Sequence, residues 1–438
     1  MNTFNVFFSG FSAFMAQPAL LLGLVAAIGL IALKKPFTRV LSGFIKTAVG
    51  VLILSVGSGQ ITSTFRPIIV GMKDVLGIEG VIIDPYTTLP AVQAAASEQI
   101  PELLSWVGYV MVLAFLFNIL LVALRKITRI RALFLTGHIM FLQASLMTWL
   151  VWYFFQLPQW PTILISAALV GLYWSIGATI NIKPTEILTN GAGFTVAHQQ
   201  HFMNWVAWKV AHLFGDPEKE NIDTLKLPGW LSIFSQDNVV TVPLIMLIFF
   251  TPILIWLGPQ ALGHESFTFN YIISMLILEL QFGVFVTIIL TGVRMFVAEL
   301  AVSFNGISEK LLPGAVIGVD GMAVAPYSPN SVVMGFVCAA IGEAIGVIIL
   351  IVTKSPILII PGFCPVFFDA AITAVFANKF GGWKAVVVIS LFVGLLQVFG
   401  SAWAASMSGL VGGWQGCTDF STIWPALMTV MKAISPLH

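Results

Sequence analysis

Long runs of apolar residues recur along this chain and restrict what it can fold into. A helix that crosses the hydrocarbon core of a bilayer needs about 20 mostly apolar residues. The runs lie near residues 18–33, 40–58, 104–124, 132–156, 161–182, 238–258, 267–292, 330–353, 356–378 and 383–404. They predict an all-α polytopic membrane protein with about ten spans. A glycine-rich segment at 405–438 is expected to form either a partial span or a surface element.

Composition agrees with a surface that faces lipid. Hydrophobic residues make up 58% of the 438 residues and charged residues 9%, whereas soluble domains carry about 25% charged residues. The net charge of +1 gives no sign of the clustered basic residues that bind nucleic acid. Cys338, Cys364 and Cys417 lie in apolar or glycine-rich surroundings without CxxC spacing. We therefore expect buried free thiols rather than disulfides or a zinc site.

The positions of lysine and arginine predict the orientation in the membrane. Basic residues follow the first, third and fifth apolar runs, within 34–39, 125–131 and 183–226. Because an excess of lysine and arginine marks cytoplasmic loops, the N-terminus is expected outside. The long segment 183–236 is then a cytoplasmic loop that separates two halves of about five spans each.

A repeated motif relates the two halves. Residues 77–87 and 318–328 share the pattern G-[IV]-[DE]-G-x-x-[IV]-x-P-Y-[ST] without a gap, and each copy follows the second span of its half. A shorter similarity links 136–138 to 361–363. With an odd number of spans per half, the copies enter the membrane from opposite sides. This is typical of inverted repeats whose interrupted helices form a transporter's midplane site, and chance similarity between apolar sequences is the alternative.

Asp320 and His138 are polar residues in strongly apolar surroundings. A carboxylate at the centre of a membrane helix costs about 2.5–3.5 kcal/mol, and the glycines and prolines around Asp320 predict an interrupted backbone. Asp320 would accept hydrogen bonds from vicinal hydroxyls of a ligand, or else cap a broken helix. His138, near the start of a span, would exchange hydrogen bonds with the same ligand, or else form one internal hydrogen bond.

The segment 191–201 is the densest polar cluster in the chain. It joins a glycine-rich break to His198, Gln199 and His201. This predicts a re-entrant tip that reaches a ligand, with Phe194 packing against one face of a small ring, and an interfacial cytoplasmic loop is the alternative. His198 and His201 would share one helix face, but we expect no metal because no third ligand has fitting spacing.

Three further features complete the candidates. Pro85 interrupts a helix and presents Tyr86, whose ring offers an apolar face and a hydroxyl, although tyrosines also form interfacial belts. Ser58 lies in a patch of small polar residues that either lines a cavity or lets helices approach closely. Arg294 and Glu299 are expected to form a structural pair or to lie at the interface.

Five motifs stand in one order along the chain: LTGHIMF at 135–141, AHQQ at 197–200, GVRMFVAEL at 292–300, FNGIS at 304–308 and IIPGF at 359–363. Together they resemble the ascorbate-specific IIC component of the bacterial phosphoenolpyruvate-dependent phosphotransferase system. The resemblance runs from the first span to about residue 425. This family is similar in fold to the galactitol-type membrane components.

The resemblance implies a homodimer in the bacterial inner membrane with its N-terminus in the periplasm. Each protomer would hold L-ascorbate in a core domain with two re-entrant hairpins, beside a V-shaped dimerisation scaffold, and would move the core like an elevator. The partners would be cytoplasmic IIA and IIB, and IIB would phosphorylate the 6-hydroxyl of ascorbate. No cofactor is implied. The expected regions are scaffold spans 1–60, core half 61–236, scaffold spans 237–305, core half 306–404 and C-terminal segment 405–438.

The family's substrate contacts carry over by position. They fall on Pro85, Tyr86, His138, Ile139, Met140, Phe141, Leu142, His198, Gln199 and Asp320, with a second tier of Ser58, Thr136, Gly137, Gln143 and Phe194. Leu142 stands where the family has glutamine. Gln143 lies about 100° further round a helix, so it does not simply replace that contact. The family pattern continues past the position of His438 into another hydrophobic helix, which leaves the C-terminal scaffold open.

Three functions remain open from the sequence. The first is phosphorylation-coupled uptake of ascorbate. The second is a proton- or ion-coupled secondary transporter with Asp320 or Glu279 as the coupling carboxylate. The third is a membrane enzyme built on His138, His198 and Asp320, although the sequence offers no evident nucleophile–base pair. The sequence contains no Walker A, GxSxG or HExxH pattern, so nucleotide-driven transport and hydrolysis have no support.

Overall fold

The computed structural model describes residues 17–76, 78–225, 229, 238–312 and 314–436, and this described part is 77% helical. The helices are α1 Pro18–Ala32, α2 Phe37–Leu76, α3 Pro85–Gln99, α4 Leu103–Ala123, α5 Arg125–Thr128, α6 Gly137–Phe155, α7 Gln159–Ile180, α8 Ile182–Thr189, α9 His201–Val210, α10 Asn238–Leu257, α11 Phe269–Leu311, α12 Pro329–Val352, α13 Ala370–Ser408 and α14 Ile423–Ile434. The strands are β1 Glu79–Ile83, β2 Ala132–Phe134, β3 Phe194–Val196, β4 Val316–Val319, β5 Ile357–Pro361 and β6 Gly412–Trp414.

Seven helical stretches in the described part of the chain are long and apolar enough to cross a membrane, and three shorter apolar helices accompany them. This confirms the prediction of a helical polytopic membrane protein. Two predicted spans, 356–378 and 383–404, fall in one stretch, Cys364–Ser408. A positive φ of 70° at Gly382 kinks it, and a side chain there would meet the Glu220 carbonyl oxygen at 2.6 Å. The first of these predicted spans begins as strand β5 rather than as a helix.

Two small parallel sheets lie among the helices, and each combines strands from both halves of the chain. Their strand orders are β5-β1-β6 and β2-β4-β3. The central strand β1 comes from the first half and its neighbours from the second, whereas β4 comes from the second half and its neighbours from the first. Because all strands in a sheet are parallel, their carboxyl ends meet at one edge.

The long helices α2 and α11 pack directly against each other. A Cβ atom on Gly50 would lie 2.6 Å from the carbonyl oxygen of Gly292 on α11, so the backbones are in close contact at this crossing. Near the ends of the two helices, Glu299 pairs with Arg39 at 2.5 Å and with Lys46 at 3.7 Å. Arg294 lies five residues before Glu299 on α11, about 140° further round the helix.

The segment expected as a long cytoplasmic loop folds back into the protein. Within its described residues it forms α8, β3 and α9, and the side chains of 198–201 are buried. Its most polar stretch stays near the surface, where Lys384 pairs with Glu220. This hydrogen bond lowers the pKa of the Glu220 carboxyl. Asp223 also ties the stretch to the second half by accepting from the Asn330 backbone nitrogen at 3.0 Å.

Candidate functional site

Three polar side chains meet at the carboxyl edge of the β2-β4-β3 sheet. Asp320 directly follows β4, His198 stands two residues after β3, and His138 stands four residues after β2. The parallel register pairs both outer strands with β4, so residues far apart in sequence arrive at one place. The structure therefore brings together Asp320 and His138, which the sequence singled out as polar residues in apolar surroundings, and His198 of the polar segment 191–201.

The geometry of this cluster leaves it open to a ligand. His138 Nε2 lies 3.4 Å from Asp320 Oδ2, and the rings of His138 and His198 have centroids 6.4 Å apart. One ligand atom of each residue lies within 4.8 Å of those of the other two. The side chain of Asp320 is 42% exposed and that of His138 is 19% exposed, whereas His198 is buried.

The hydrogen bonds around His198 fix its tautomer. Gln200 Oε1 lies 2.8 Å from the backbone nitrogen of Gln199 and 2.8 Å from His198 Nδ1. A backbone N–H can only donate, so the shared atom is an oxygen and His198 Nδ1 carries a proton. In the neutral imidazole, His198 Nε2 therefore keeps its lone pair and can accept a hydrogen bond or bind a cation. Sequence analysis missed this role of Gln200, because it depends on a turn that the polar cluster alone does not define.

His201 takes a different position from the one expected. The prediction placed it on one helix face with His198, but α9 begins at His201, so His198 precedes the helix. His201 Nε2 accepts a hydrogen bond from the His198 backbone nitrogen at 3.1 Å. Its ring packs against Phe134 and Tyr173. His201 therefore stabilises the turn at His198 by accepting this backbone hydrogen bond.

Asp320 is oriented by its own helix cap. Its Oδ1 accepts from the Met322 backbone nitrogen at 2.9 Å, at the start of the 3-10 helix Gly321–Tyr327. The other oxygen, Oδ2, faces His138. The capping and the ligand-binding interpretations of this residue are thus compatible. The close packing before it needs glycine, because a Cβ on Gly318 would lie 2.7 Å from the Leu133 carbonyl oxygen.

The other predicted contacts surround this cluster unevenly. Pro85 and Tyr86 begin α3, and the Tyr86 hydroxyl lies within electrostatic range of Asp320. Consecutive helix residues point 100° apart, so Ile139 and Met140 do not share the direction of His138. All of residues 139–142 are buried in the core.

Gln143 supports the site from behind rather than replacing the contact at Leu142. Its Oε1 accepts from Trp174 Nε1 at 2.6 Å, and its Nε2 donates to the His198 carbonyl at 3.4 Å. Gln199 accepts from Gln415 at 2.5 Å through its side chain, which ties this segment to the end of β6. Among the remaining candidates, Thr136 is buried, Gly137 begins α6, Phe194 is half-buried at the start of β3, and Ser58 lies in α2 with its side chain outside the described part of the structure.

A cation acts on the site from α11, although the sequence indicated only a structural or interfacial role for it. Arg294 of α11 is exposed, and its charge acts on both His138 and Tyr86. The contact between α11 and α6 passes through Phe296 and Phe141, whose rings meet edge-on at 6.0 Å. A cation in this position favours an anionic ligand.

A cavity of about 530 Å³ lies next to the site. It begins about one helical turn beyond His138 and Tyr86 and extends to the connection between α3 and α4. Its lining includes Ser55, Leu89, Gln93, Glu102, Ser105, Phe141 and Ser145. The cavity lies at the start of α4. The basic segment 125–131 follows the other end of this helix.

At the carboxyl edge of the β5-β1-β6 sheet, an aspartate also follows the central strand, but it is closed to a ligand. Asp84 directly follows β1, as Asp320 follows β4. Its carboxylate accepts from the backbone nitrogens of Tyr86 at 2.8 Å and Cys364 at 2.9 Å. Asp84 has no exposed surface, and a side chain on Gly362 would lie 2.9 Å from its Oδ2. This carboxylate is held by backbone donors and is closed to a ligand.

Comparisons with known proteins agree on one protein family. The family model described as "PTS system sugar-specific permease component" matches residues 13–421. The ascorbate-specific PTS system EIIC component of Mycoplasma pneumoniae is 33% identical to this chain over 426 residues. The alignment covers 88% of this chain and 64% of that relative, so the chain spans less than two thirds of the relative's length.

Proposed function

The chain belongs to the sugar-specific permease components of the phosphotransferase system, and from this premise we propose that it takes up L-ascorbate in a phosphorylation-coupled reaction. Such components are transport subunits, and other components of the system transfer the phosphoryl group. In our proposal the cytoplasmic partner IIB, acting with IIA, phosphorylates the 6-hydroxyl of the bound sugar acid. The observation that carries the proposal is the open cluster of His138, His198 and Asp320.

The hydrogen-bonding groups of the cluster suit the neighbouring hydroxyls of a small sugar acid. The Asp320 carboxylate can accept hydrogen bonds from two neighbouring hydroxyls, and His198 Nε2 can accept a third. Hydrogen bonds to charged groups contribute about 1.5–3 kcal/mol each. The charge of Arg294 complements the negative charge of ascorbate, which neutral polyols lack. This arrangement favours ascorbate over a neutral sugar of similar size.

We extend the proposal to architecture. The alternation of strands between the two sheets supports inverted repeats, because each half supplies one central strand and two outer strands. In this proposal α2 and α11 belong to a dimerisation scaffold, and the two sheets belong to a core that moves like an elevator. The predicted scaffold regions are 1–60 and 237–305, of which 1–16 and residue 237 lie outside the described residues. The N-terminus is placed in the periplasm of a bacterial inner membrane.

Uptake by purified protein in liposomes tests the proposal. With IIA, IIB and phosphoenolpyruvate present, radiolabelled L-ascorbate should accumulate and be recovered as a phosphate ester. Replacing Asp320→Asn or His138→Ala removes one hydrogen-bonding partner, so binding should weaken about 10- to 100-fold. His212→Ala provides a matched control, because His212 is an exposed histidine outside the site.

Two outcomes would contradict different parts of the proposal. Unchanged uptake in both site variants would remove the substrate site from this cluster. Accumulation of free ascorbate without IIB, abolished by an uncoupler, would instead support an ion-coupled transporter. Glu279, the other carboxylate considered for coupling, accepts from Thr251 at 2.5 Å between α10 and α11.

A further inference from the structure

The cluster at the sheet edge has the donor set of a metal site. Two imidazoles and one carboxylate are ligands that Zn²⁺ accepts, and zinc sites with three protein ligands leave a fourth position open. From this arrangement we propose that His138, His198 and Asp320 bind a divalent transition-metal ion, with Zn²⁺ as the best fit. From the sequence, a metal was considered only for His198 and His201 and was not expected. The fold instead supplies three ligands from three separate segments of the chain.

The distances are close to those of a bound ion. Zn–N bonds of about 2.0–2.1 Å place neighbouring ligand atoms of a tetrahedral site about 3.3 Å apart. His138 Nε2 and Asp320 Oδ2 are already 3.4 Å apart. The other separations are at most 4.8 Å, so they need to shorten by about 1.5 Å or less to reach this geometry.

Two of the three ligands are held in position by neighbouring groups. A metal-binding histidine almost always donates its second ring N–H to an acceptor, which fixes the ring and its tautomer. His198 Nδ1 donates to Gln200 Oε1 at 2.8 Å, so Nε2 is the free ligand atom. Asp320 Oδ1 is held by the Met322 backbone nitrogen at 2.9 Å, which leaves Oδ2 free. These contacts exist without any ion.

The charge of Arg294 allows metal binding and ascorbate binding to be distinguished by experiment. Arg294 acts on His138, so its charge opposes a bound cation and attracts an anionic sugar acid. Arg294→Gln should therefore strengthen metal binding and weaken ascorbate binding. The two ligands respond to one substitution in opposite directions, which a general loss of structure would not produce.

Cobalt binding to the purified full chain in detergent tests the proposal. Co²⁺ alone is titrated, its visible absorption bands report coordination, and Zn²⁺ should displace it at one ion per chain. Asp320→Asn keeps an acceptor for the Met322 N–H but removes the charge, and His198→Gln removes an imidazole. Each should weaken binding by more than tenfold, and Gln200→Ala by about 10- to 100-fold. His212→Gln should leave binding unchanged.

The outcomes distinguish the metal site from the substrate site. Equal Co²⁺ affinity in wild type, Asp320→Asn and His198→Gln would overturn the metal proposal, as would loss of the bands in His212→Gln. If the site variants weaken the bands but L-ascorbate does not displace the bound Co²⁺, the result would support the metal site and contradict the proposed function. Monodisperse elution of each variant from a sizing column confirms that the compared proteins are folded.

Discussion

Replacing Gly50 with alanine measures how tightly α2 and α11 are packed. A Cβ at this position would lie 2.6 Å from the Gly292 carbonyl oxygen and 2.8 Å from the Phe296 nitrogen. Both are backbone atoms and cannot rotate away. Ordinary Cβ contacts begin near 3.4 Å, so the helices must separate by about 0.6–0.8 Å, a gap that forfeits a quarter to a half of the dispersion energy across it. Overpacking of this kind costs about 1–3 kcal/mol.

Gly59→Ala on the same helix is the matched control, because a Cβ there meets no atom within 4 Å. Both substitutions gain about 1 kcal/mol of helix propensity, so the difference between the variants isolates the clash. We expect Gly50→Ala to be about 1–3 kcal/mol less stable than Gly59→Ala. Thermal unfolding in detergent, followed by tryptophan fluorescence, gives the comparison. Equal unfolding midpoints would refute the close packing of α2 and α11.

Three further predictions follow from single side chains. Arg294→Gln should weaken ascorbate binding in calorimetry, whereas Arg294→Lys should keep most of it, because the charge is retained. Glu343 is fully buried and neither of its oxygens has a hydrogen-bond partner among the described residues, so Glu343→Gln should unfold at or above the wild-type temperature. Asn118→Leu should lower the free energy of unfolding by at least about 2 kcal/mol in the same assay. Asn118 donates a hydrogen bond to the Ala132 carbonyl and accepts one from the Phe134 backbone nitrogen, and leucine can make neither.

The membrane helices were predictable because apolar length is a local property of the sequence. The run 104–124 corresponds to α4 Leu103–Ala123, and the run 330–353 to α12 Pro329–Val352. Proline is well placed at the first position of a helix, where its missing N–H has no partner to lose. Such boundaries need no knowledge of the rest of the chain.

The strands were not predictable in the same way. Each has only three to five residues, and β2 lies inside an apolar run that was assigned wholly to a helix. Their pairing joins segments from opposite halves, which no local pattern contains. The motif match also paired Glu79 with Asp320, whereas it is Asp84 that follows a central strand as Asp320 does. In the second half, the 3-10 helix Gly321–Tyr327 lies between strand β4 and helix α12. The motif alignment therefore differs from the alignment of the two central strands by five residues.

The site was predictable in its main residues but not in its supports. Asp320 and His138 stand out as polar groups in apolar surroundings, where the cost of burying them is visible in sequence, and His198 stands out within a dense polar cluster. The sequence does not indicate that Gln200 and Arg294 act on this site. Their roles come from the His198 turn and from the packing of α11 beside α6, and both are properties of the folded chain.

The two sheet edges explain why a ligand would bind at only one of them. Both central strands end in an aspartate, and each aspartate accepts a hydrogen bond from the backbone nitrogen two residues later. At Asp84 a second backbone donor, from Cys364, satisfies the other oxygen. At Asp320 the corresponding oxygen faces His138 and remains accessible. The Asp84 carboxylate is therefore fully used by the backbone, whereas the Asp320 carboxylate keeps an accessible oxygen that a hydroxyl or a cation can contact.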